Sequence, residues 1–494
     1  MSENTLAILI FLPLLGGVLT LLLWRRDRWC HSLALVVSAA ELAMAVRVLA
    51  LSPADPAGGS PSAFFLFADL PWIERFGTRF TLGLDGISLL MVLLTAFIVL
   101  IAVLISPREI LGYRAAYYGL LQVMTAGIMG VFLALDLLLF YLFWEVMLLP
   151  MFLLICIWGQ ARQIYSALKF FLFSIAGSLL MLLAIIGLYL LHGRQTDQYT
   201  FALAELLNTQ LDPVTAAWLF AAFLLAFGIK VPLFPFHGWL PDAYTNASTA
   251  GSLILAALLA KTGVYGLIRF AYPLFSSASP LFAPTLFVLA VIGIVYASWI
   301  AYAQQDLKRL VAYSSFSHMG FIALGVVAWT PVSLSGSVLQ MVNHGITTGC
   351  LFVLVAMLEE RAGARGIDSF GGLWGRAPYF SAFFLLTALA SVGLPGLNNF
   401  VGEFLILAGA FPVSPWAAAL AFCGVVPILV YMLRAVQRVL FLEPRESLVF
   451  REISAQEGAI LAAFAVLMVF LGVYPAALLD LVRLPVQLLA GGSP

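Results

Sequence analysis

Long apolar runs alternate with short polar connections along the whole chain. Each run contains about 20 residues, enough for an α-helix to cross a hydrocarbon core about 30 Å thick. The runs begin near residues 5, 31, 84, 115, 137, 165, 216, 251, 282, 310, 334, 379, 416 and 458. This pattern predicts an all-α polytopic membrane protein with about 14 transmembrane helices.

Helix-breaking residues interrupt two of these runs. In the seventh run, residues 227–243 read FGIKVPLFPFHGWLPDA, so Pro232 and Pro235 closely follow Lys230. In the twelfth run, residues 391–404 read SVGLPGLNNFVGEF. Proline removes a helical hydrogen bond, and a broken helix in a membrane must be surrounded by protein or a water-filled cavity. We expect helices 7 and 12 to be discontinuous; a kink that serves packing alone is the alternative. Breaks five spans apart are typical of two repeats with opposite membrane orientation.

Composition agrees with a membrane protein, and the arginines predict its orientation. Hydrophobic residues make up 63% of the chain, charged residues 10%, and the mean hydropathy is +1.06. The loops after odd-numbered spans carry Arg25, Arg26, Arg28, Arg108, Arg114, Arg162, Lys308, Arg309, Arg361, Arg365, Arg376, Arg438, Arg445 and Arg451, whereas the opposite side carries only Arg75, Arg79, Arg194 and Arg483. The positive-inside rule makes the first set cytoplasmic, which predicts both termini on the periplasmic side.

Ionisable residues within the apolar runs are the candidate functional groups. Lysine occurs only four times, and Lys169, Lys230 and Lys261 lie inside or at the edge of apolar runs. A lysine near a helix centre costs roughly 2.5–3.5 kcal/mol, and such charges usually face a bundle interior or a water-filled path. Glu145 has no basic neighbour in its own run, so its partner must come from another helix. A pair of Glu145 with Lys230 would titrate as one unit and could take up and release a proton.

Two histidines and a second glutamate extend this set. His318 and His344 stand in the tenth and eleventh runs, flanked by Ser, Thr and Asn. Imidazole titrates near neutral pH and can pass protons through either ring nitrogen. Glu403 follows the second helix break by about two turns.

Each candidate also has a purely structural interpretation. The buried lysines could belong to structural ion pairs, the two histidines could be hydrogen-bonded core residues, and Lys169 could extend to the membrane interface. His237 and Asp242 are as consistent with ordering a loop as with admitting protons. Three lysines and two glutamates near helix breaks favour the functional interpretation.

Motifs for redox or nucleotide chemistry are missing from the sequence. There is no Gly-rich nucleotide loop, no P-loop, no HExxH and no cysteine cluster. Cys30, Cys156, Cys350 and Cys423 are scattered, which indicates neither a disulfide framework nor a metal site. We expect no redox centre and no cofactor on this chain.

Four strings carry a family resemblance over essentially the whole chain. YLFWEVMLLPMFLLICIWG, FGIKVPLFPFHGWLPDAYTNAST, AYSSFSHMGF and NNFVGEFLIL resemble the antiporter-like membrane subunits of respiratory complex I, NADH:quinone oxidoreductase, and among them the M-type bacterial chains. The L- and N-type chains and cation/proton antiporter subunits typically have Lys where this chain has Glu403, so Glu403 favours the M type. The chain ends within about 20 residues of the last span, so the long lateral helix of an L-type chain is not expected. Ser248 stands where the family usually has Pro.

The resemblance implies a domain organisation and a set of roles. The implied organisation is an N-terminal three-helix segment at 1–114, a first five-helix repeat at 115–271, an inverted second repeat at 282–440, and helix 14 with a tail at 441–494. The implied proton path contains the ion pair of Glu145 and Lys230, the central Lys261, a relay of His318 and His344, and a terminal exchange site at Glu403. Lys169 is a further member of this path.

The same resemblance implies a cellular context. We expect a proton-translocating subunit in the bacterial inner membrane, in contact with lipid and with L-type and N-type chains, and without nucleic acid. NADH, FMN, iron–sulfur clusters and quinone are expected on partner subunits. The alternative functions are a subunit of a multisubunit cation/proton antiporter or of a membrane-bound hydrogenase, and a passive membrane scaffold.

Overall fold

The computed structural model describes residues 4–23, 27–52, 64–443 and 450–491. Arg25, Arg26 and Arg445, which contribute to the predicted orientation, lie outside the described residues, and so does the side chain of Arg28.

Helices dominate the described chain. They are α1 (Asn4–Leu22), α2 (Asp27–Leu51), α3 (Gly86–Ile105), α4 (Arg114–Leu133), α5 (Leu137–Trp158), α6 (Gln163–Thr196), α7 (Leu203–Leu206), α8 (Pro213–Lys230), α9 (Leu240–Asn246), α10 (Thr249–Ile254), α11 (Ala260–Gly266), α12 (Tyr272–Leu274), α13 (Ser279–Ala303), α14 (Leu307–Ala328), α15 (Pro331–Ala362), α16 (Leu373–Arg376), α17 (Pro378–Ser391), α18 (Asn398–Ala410), α19 (Pro415–Val436), α20 (Ala455–Val473) and α21 (Ala476–Gly491). Three π-helical stretches, Leu255–Leu259, Leu267–Ala271 and Gln437–Phe441, continue α10, α11 and α19.

The helix lengths confirm a polytopic membrane protein. Within the described residues, 13 helices are long and apolar enough to cross a membrane. The predicted twelfth run instead forms the shorter apolar helix α17, followed after a break by α18. The predicted tail of 441–494 also contains α21, which packs against α3 and α15 and which the sequence analysis did not predict.

A β-hairpin in the connection between α2 and α3 was also not predicted. β1 (Leu66–Ile73) pairs antiparallel with β2 (Thr78–Leu84), with Leu66 opposite Leu84. Arg79 Nε and Nη2 donate to the two carboxylate oxygens of Asp69 at 2.8 Å and 2.7 Å. This cross-strand pair is partly exposed and therefore contributes little stability.

The central helices are much more deeply buried than the peripheral ones. The segment from α10 to α12 and the helices α14 and α15 are almost completely enclosed by other helices. The outer helices α13, α19 and α20 expose large apolar side chains such as Trp299, Phe422 and Val473. This distribution suits a bundle that presents apolar side chains to lipid and keeps its polar groups on the central helices.

The chain in the seventh run leaves the helical conformation directly after Lys230. Helix α8 ends there, and a short 3₁₀ turn at Phe236–Trp239 leads into α9. The indole Nε1 of Trp239 donates to the carbonyl oxygen of Ile229 at 2.8 Å. Since the last carbonyls of a helix have no partner within it, this bond satisfies one of them in the protein interior.

The second break, between α17 and α18, is held against α15. Gly393 and Gly396 adopt φ values of 72° and 94°, in the region that favours glycine. Asn398 and Asn343 exchange bonds, each side-chain amide donating to the other residue's backbone carbonyl, at 3.0 Å and 2.7 Å. The first turn of α18 is thereby fixed to the middle of α15.

Candidate functional site

Lys261 and His344 form a direct contact in the protein interior. Both side chains are completely buried. Lys261 Nζ lies 2.6 Å from His344 Nδ1 and donates to the carbonyl oxygen of Ala256 at 2.5 Å. An ammonium group can only donate, so a charged Lys261 requires an unprotonated Nδ1 and a proton on Nε2 of His344. The contact thus holds one movable proton between two bases.

His318 and Glu403 form a second contact of the same kind. His318 Nδ1 lies 2.7 Å from Glu403 Oε1, and Gln340 Nε2 donates to the same oxygen at 3.1 Å. All three side chains are buried. The pair can exist as imidazolium with carboxylate or, after loss of one proton, as neutral imidazole with carboxylate.

The two contacts join into one row. The rings of His318 and His344 have their centroids 5.7 Å apart and their planes inclined by 53°. Nε2 of each ring is buried and has no hydrogen-bond partner. We call Lys261, His344, His318 and Glu403 the buried row. It connects α11 with α18 through two histidines whose free nitrogens can accept or release a proton.

Lys230 lies beside this row at the end of α8. A Cβ added at Gly263 would be 3.1 Å from Lys230 Cβ and 2.8 Å from the carbonyl oxygen of Phe227. The glycine therefore permits the close approach of α8 and α11 that brings the broken helix next to the segment carrying Lys261.

Lys230 is buried without a hydrogen bond, and Glu145, which is partly buried, makes none with it. Lys230 is 1% exposed, and neither its Nζ nor Glu145 Oε1 has a partner. The ammonium instead faces aromatic rings, 4.9 Å from the centroid of Phe170 and 5.6 Å from that of Trp144. Glu145 is close enough to act on Lys230 through its charge. The two predicted partners thus interact at longer range than a hydrogen bond in this conformation.

Lys169 is engaged separately, at the broken helix. Its Nζ donates to Asp242 Oδ2 on α9 at 2.7 Å, and Arg309 Nη1 lies 3.3 Å from the other oxygen. The side chains of Lys169 and Asp242 are 25% and 20% exposed. Lys169 therefore forms an ion pair near the surface and makes no hydrogen bond to the buried row.

Several buried polar groups were missed in the sequence analysis. Arg269 pairs with Asp85 in the interior, and Tyr265 accepts from Arg269 Nε at 3.2 Å. Gln340 binds Glu403, as described above. Lys308, assigned to a loop, is 3% exposed. Arg269 and Gln340 lie in apolar stretches of the sequence, and that placement was the available signal.

Among the residues that the structure describes, no group of three or more His, Cys, Asp or Glu side chains is arranged to hold a metal ion.

Comparisons with known proteins agree on one family. Residues 134–427 match the family described as NADH:quinone oxidoreductase/Mrp antiporter, TM. NADH-quinone oxidoreductase subunit M of Pseudomonas aeruginosa is 44% identical over 96% of this chain and 95% of that protein. Subunit M of Escherichia coli K12 is 40% identical over 96% and 95%. A chain of respiratory complex I from Thermus thermophilus with bound NADH is 33% identical, with a TM-score of 0.88 over 98% of this chain and 99% of that one. The chain therefore belongs to the NADH:quinone oxidoreductase/Mrp antiporter family of membrane proteins and, within it, to the M subunits of NADH-quinone oxidoreductase.

Proposed function

We propose that this chain is a proton-translocating membrane subunit of NADH:quinone oxidoreductase, respiratory complex I. The observation that carries the proposal is the buried row, in which four protonatable side chains from four helices are arranged in two direct contacts. Charged and titratable groups are costly in such surroundings, and within membranes they usually mark ion pathways or proton relays. Quinone reduction in other subunits supplies the energy, since moving one charge against 100 mV requires about 2.3 kcal/mol.

Proton transfer along the row needs only small movements. Lys261 can pass a proton to His344 Nδ1, and His344 can release its Nε2 proton towards the free Nε2 of His318. The separation of the rings, 5.7 Å between centroids, calls for a bridging water molecule or a rotation of one ring. Protonated His318 can then donate through Nδ1 to Glu403, which serves as the terminal exchange site.

Glu145 and Lys230 act as the switch for this transfer. Their long-range interaction leaves Lys230 sensitive to a small displacement of Glu145 or to a charge arriving from a neighbouring subunit. When Glu145 approaches, the ammonium form of Lys230 is favoured. When it withdraws, burial favours release of the proton towards Lys261. The aromatic rings of Trp144 and Phe170 hold the ammonium group without fixing it by hydrogen bonds.

Lys169 serves at the cytoplasmic edge of the path. Its ion pair with Asp242, shared with Arg309, sets the position of α9 directly after the first helix break. In this assignment Lys169 influences the path through the broken helix, and it does not itself carry the proton.

The wider architecture is assigned in the same way. Residues 115–271 form the first five-helix repeat and 282–440 the inverted second, flanked by 1–114 and 441–494. The breaks after α8 and after α17 support this division, because each repeat then contains one interrupted helix.

The proposal includes a cellular setting, which the family membership and the distribution of arginines support. Both termini lie on the periplasmic side of the bacterial inner membrane, and the chain contacts lipid and neighbouring L-type and N-type chains. NADH, FMN, iron–sulfur clusters and quinone are held by partner subunits.

A cation/proton antiporter or membrane-bound hydrogenase subunit is the second candidate, because the family that matches residues 134–427 includes Mrp antiporters. Relatives named as subunit M over nearly the whole chain favour the first.

The test is purification of the native assembly, followed by NADH-driven proton pumping in inside-out vesicles. We expect quinone reductase subunits to co-purify, and Lys261→Met to abolish pumping in an assembled complex. Thr95→Val is the matched control, since the Thr95 hydroxyl is buried and bonds only within its own helix. Normal pumping by Lys261→Met would refute the proposal.

A further inference from the structure

A cavity of about 250 Å³ lies at one end of the bundle, outside the buried row. Its walls come from the residues after α3, the end of α15 and the start of α20, and they include Arg108, Glu109, Glu360 and Glu457. The arginines place this end on the predicted cytoplasmic side. Arg108 and Glu360 are about half exposed, so the cavity reaches the surface. Its volume and polar walls suit several water molecules.

Glu109 differs from the other carboxylates of this cavity, which face arginines. Glu360 lies 3.6 Å from Arg108 Nη1, and Glu359 lies 3.8 Å from Arg365 Nε. Glu457 is paired with Arg108 at 2.5 Å and with Arg361 at 2.8 Å, so its charge is neutralised. The Glu109 oxygens instead accept the backbone N–H of Thr249, at 2.9 Å and 3.2 Å. Burial raises the pKa of Glu109 above its ordinary value, and the positive charge of Lys308 opposes this rise. Glu109 is thus the carboxyl of the cavity wall that is best suited to bind and release a proton.

Protonatable groups continue inward from Glu109. Lys308, almost fully buried, donates from Nζ to the carbonyl oxygen of Ala247 at 2.7 Å. Lys308, Ser315 and His318 lie on one side of α14, at spacings of seven and three residues. The Ser315 hydroxyl is completely buried and lies close enough to the hydroxyl of Tyr244 to interact with it as a hydrogen-bond partner. Because a hydroxyl can both accept and donate a hydrogen bond, Ser315 can pass a proton on along this side of α14.

We propose that the cavity is the cytoplasmic proton-uptake vestibule and that Glu109 is its first proton acceptor. From there the proton follows the side of α14 that carries Lys308 and Ser315 and reaches His318. The proposal rests on the proposed function and names its uptake route. Lys308 releases one of its ammonium protons through Ser315 and water to Nε2 of His318. Glu109, which has taken a proton from hydronium in the cavity, then passes that proton to Lys308 and restores its ammonium form.

Chemical rescue tests the role of Glu109 in the intact complex. In inside-out vesicles, which expose the cytoplasmic side, we expect Glu109→Gln to reduce NADH-driven pumping on the order of tenfold. Millimolar azide or formate outside the vesicles should restore much of it, because a small acid carries protons into the cavity. Rescue is not expected for a residue that only supports the fold. Normal pumping by Glu109→Gln, or a loss that neither acid restores, overturns the proposal.

Blocking the cavity gives a second test that does not depend on Glu109. Ala356→Cys places a thiol in the cavity wall, and Ala362→Cys places one further along α15, outside that wall. A bulky, charged, membrane-impermeant thiol reagent should inhibit pumping in the first variant and not in the second. Equal effects in both overturn the proposal. Normal pumping by Lys261→Met would refute the proposed function. If Lys261→Met is inactive while Glu109→Gln and the modified Ala356→Cys variant pump normally, only the assignment of the cavity as the uptake vestibule is refuted.

Discussion

Lys261 Nζ and His344 Nδ1 lie 2.6 Å apart, although 83 residues separate them in the chain. The contact joins a short helix between two π-helical stretches to the middle of the long helix α15. π-Helical turns are uncommon and often occur at functional sites, because they change the direction of neighbouring side chains. Lys261 also donates to the carbonyl of Ala256, within the first of these stretches.

The Lys261–His344 contact predicts that arginine cannot replace this lysine. Arginine keeps a positive charge but does not lose its proton in proteins. We expect Lys261→Arg to reduce pumping about as strongly as Lys261→Met, on the order of a hundredfold, because both lack a transferable proton. Dye-quenching in inside-out vesicles measures this, with assembly checked by native gel. Substantial pumping by Lys261→Arg would mean that a fixed charge suffices.

Glu403→Gln separates a proton-exchange role from a structural one. Glutamine keeps the oxygen that accepts from His318 and Gln340, so the packing and hydrogen bonds of α18 should survive. Only the capacity to ionise is removed. We expect the complex to assemble normally and to lose pumping by at least about tenfold.

Gln340→Ala is the comparison for that variant. It removes one donor to Glu403 and leaves the carboxyl, so its effect on pumping should be smaller. If Glu403→Gln pumps at the normal rate, Glu403 is not on the proton path.

Lys230→Ala and Glu145→Ala should each leave assembly largely intact while strongly reducing quinone reductase activity and pumping. Lys230 Nζ and Glu145 Oε1 have no hydrogen-bond partner, so neither variant breaks a hydrogen bond between the two residues. Because the two charges act as one unit, the double variant should be no worse than the more severe single one. Comparing the pumping rates of the two single variants and the double variant measures how strongly Lys230 and Glu145 are coupled. If the loss of activity in the double variant, expressed as a free energy, equals the sum of the two single losses, the two residues have no joint role.

Much of the fold could be predicted from the sequence. Apolar runs predicted the spanning helices because a bilayer requires about 20 apolar residues per helix. Pro232 and Pro235 predicted the end of α8, since proline cannot continue the hydrogen-bond ladder. The hairpin of β1 and β2 was missed because its two short strands carry no clear alternation of polar and apolar residues.

The candidate site was predictable as a set of residues and not as a set of contacts. Intramembrane charge identified Glu145, Lys230, Lys261 and Glu403, since such residues are costly. The pairing of Lys261 with His344, and of His318 with Glu403, joins residues more than 80 positions apart and depends on how four helices pack. Lys308 was assigned to a loop because it lies at the start of a run. Only the structure, in which it is buried and donates to Ala247 between α9 and α10, reveals its burial.

Gly393→Ala tests whether the second helix break positions Glu403. Gly393 has a φ of 72°, which costs an alanine about 1–2 kcal/mol, and an added Cβ would lie 3.2 Å from Glu403 Oε2. Gly396 has a φ of 94°, but an added Cβ there meets no heavy atom within 4 Å. Gly396→Ala is therefore a matched control with backbone strain and no contact to Glu403. We expect both variants to lower the melting temperature of the purified complex by similar amounts and only Gly393→Ala to lower pumping markedly, because it displaces the carboxylate from His318. Equal pumping in the two variants would show that the break serves the fold alone.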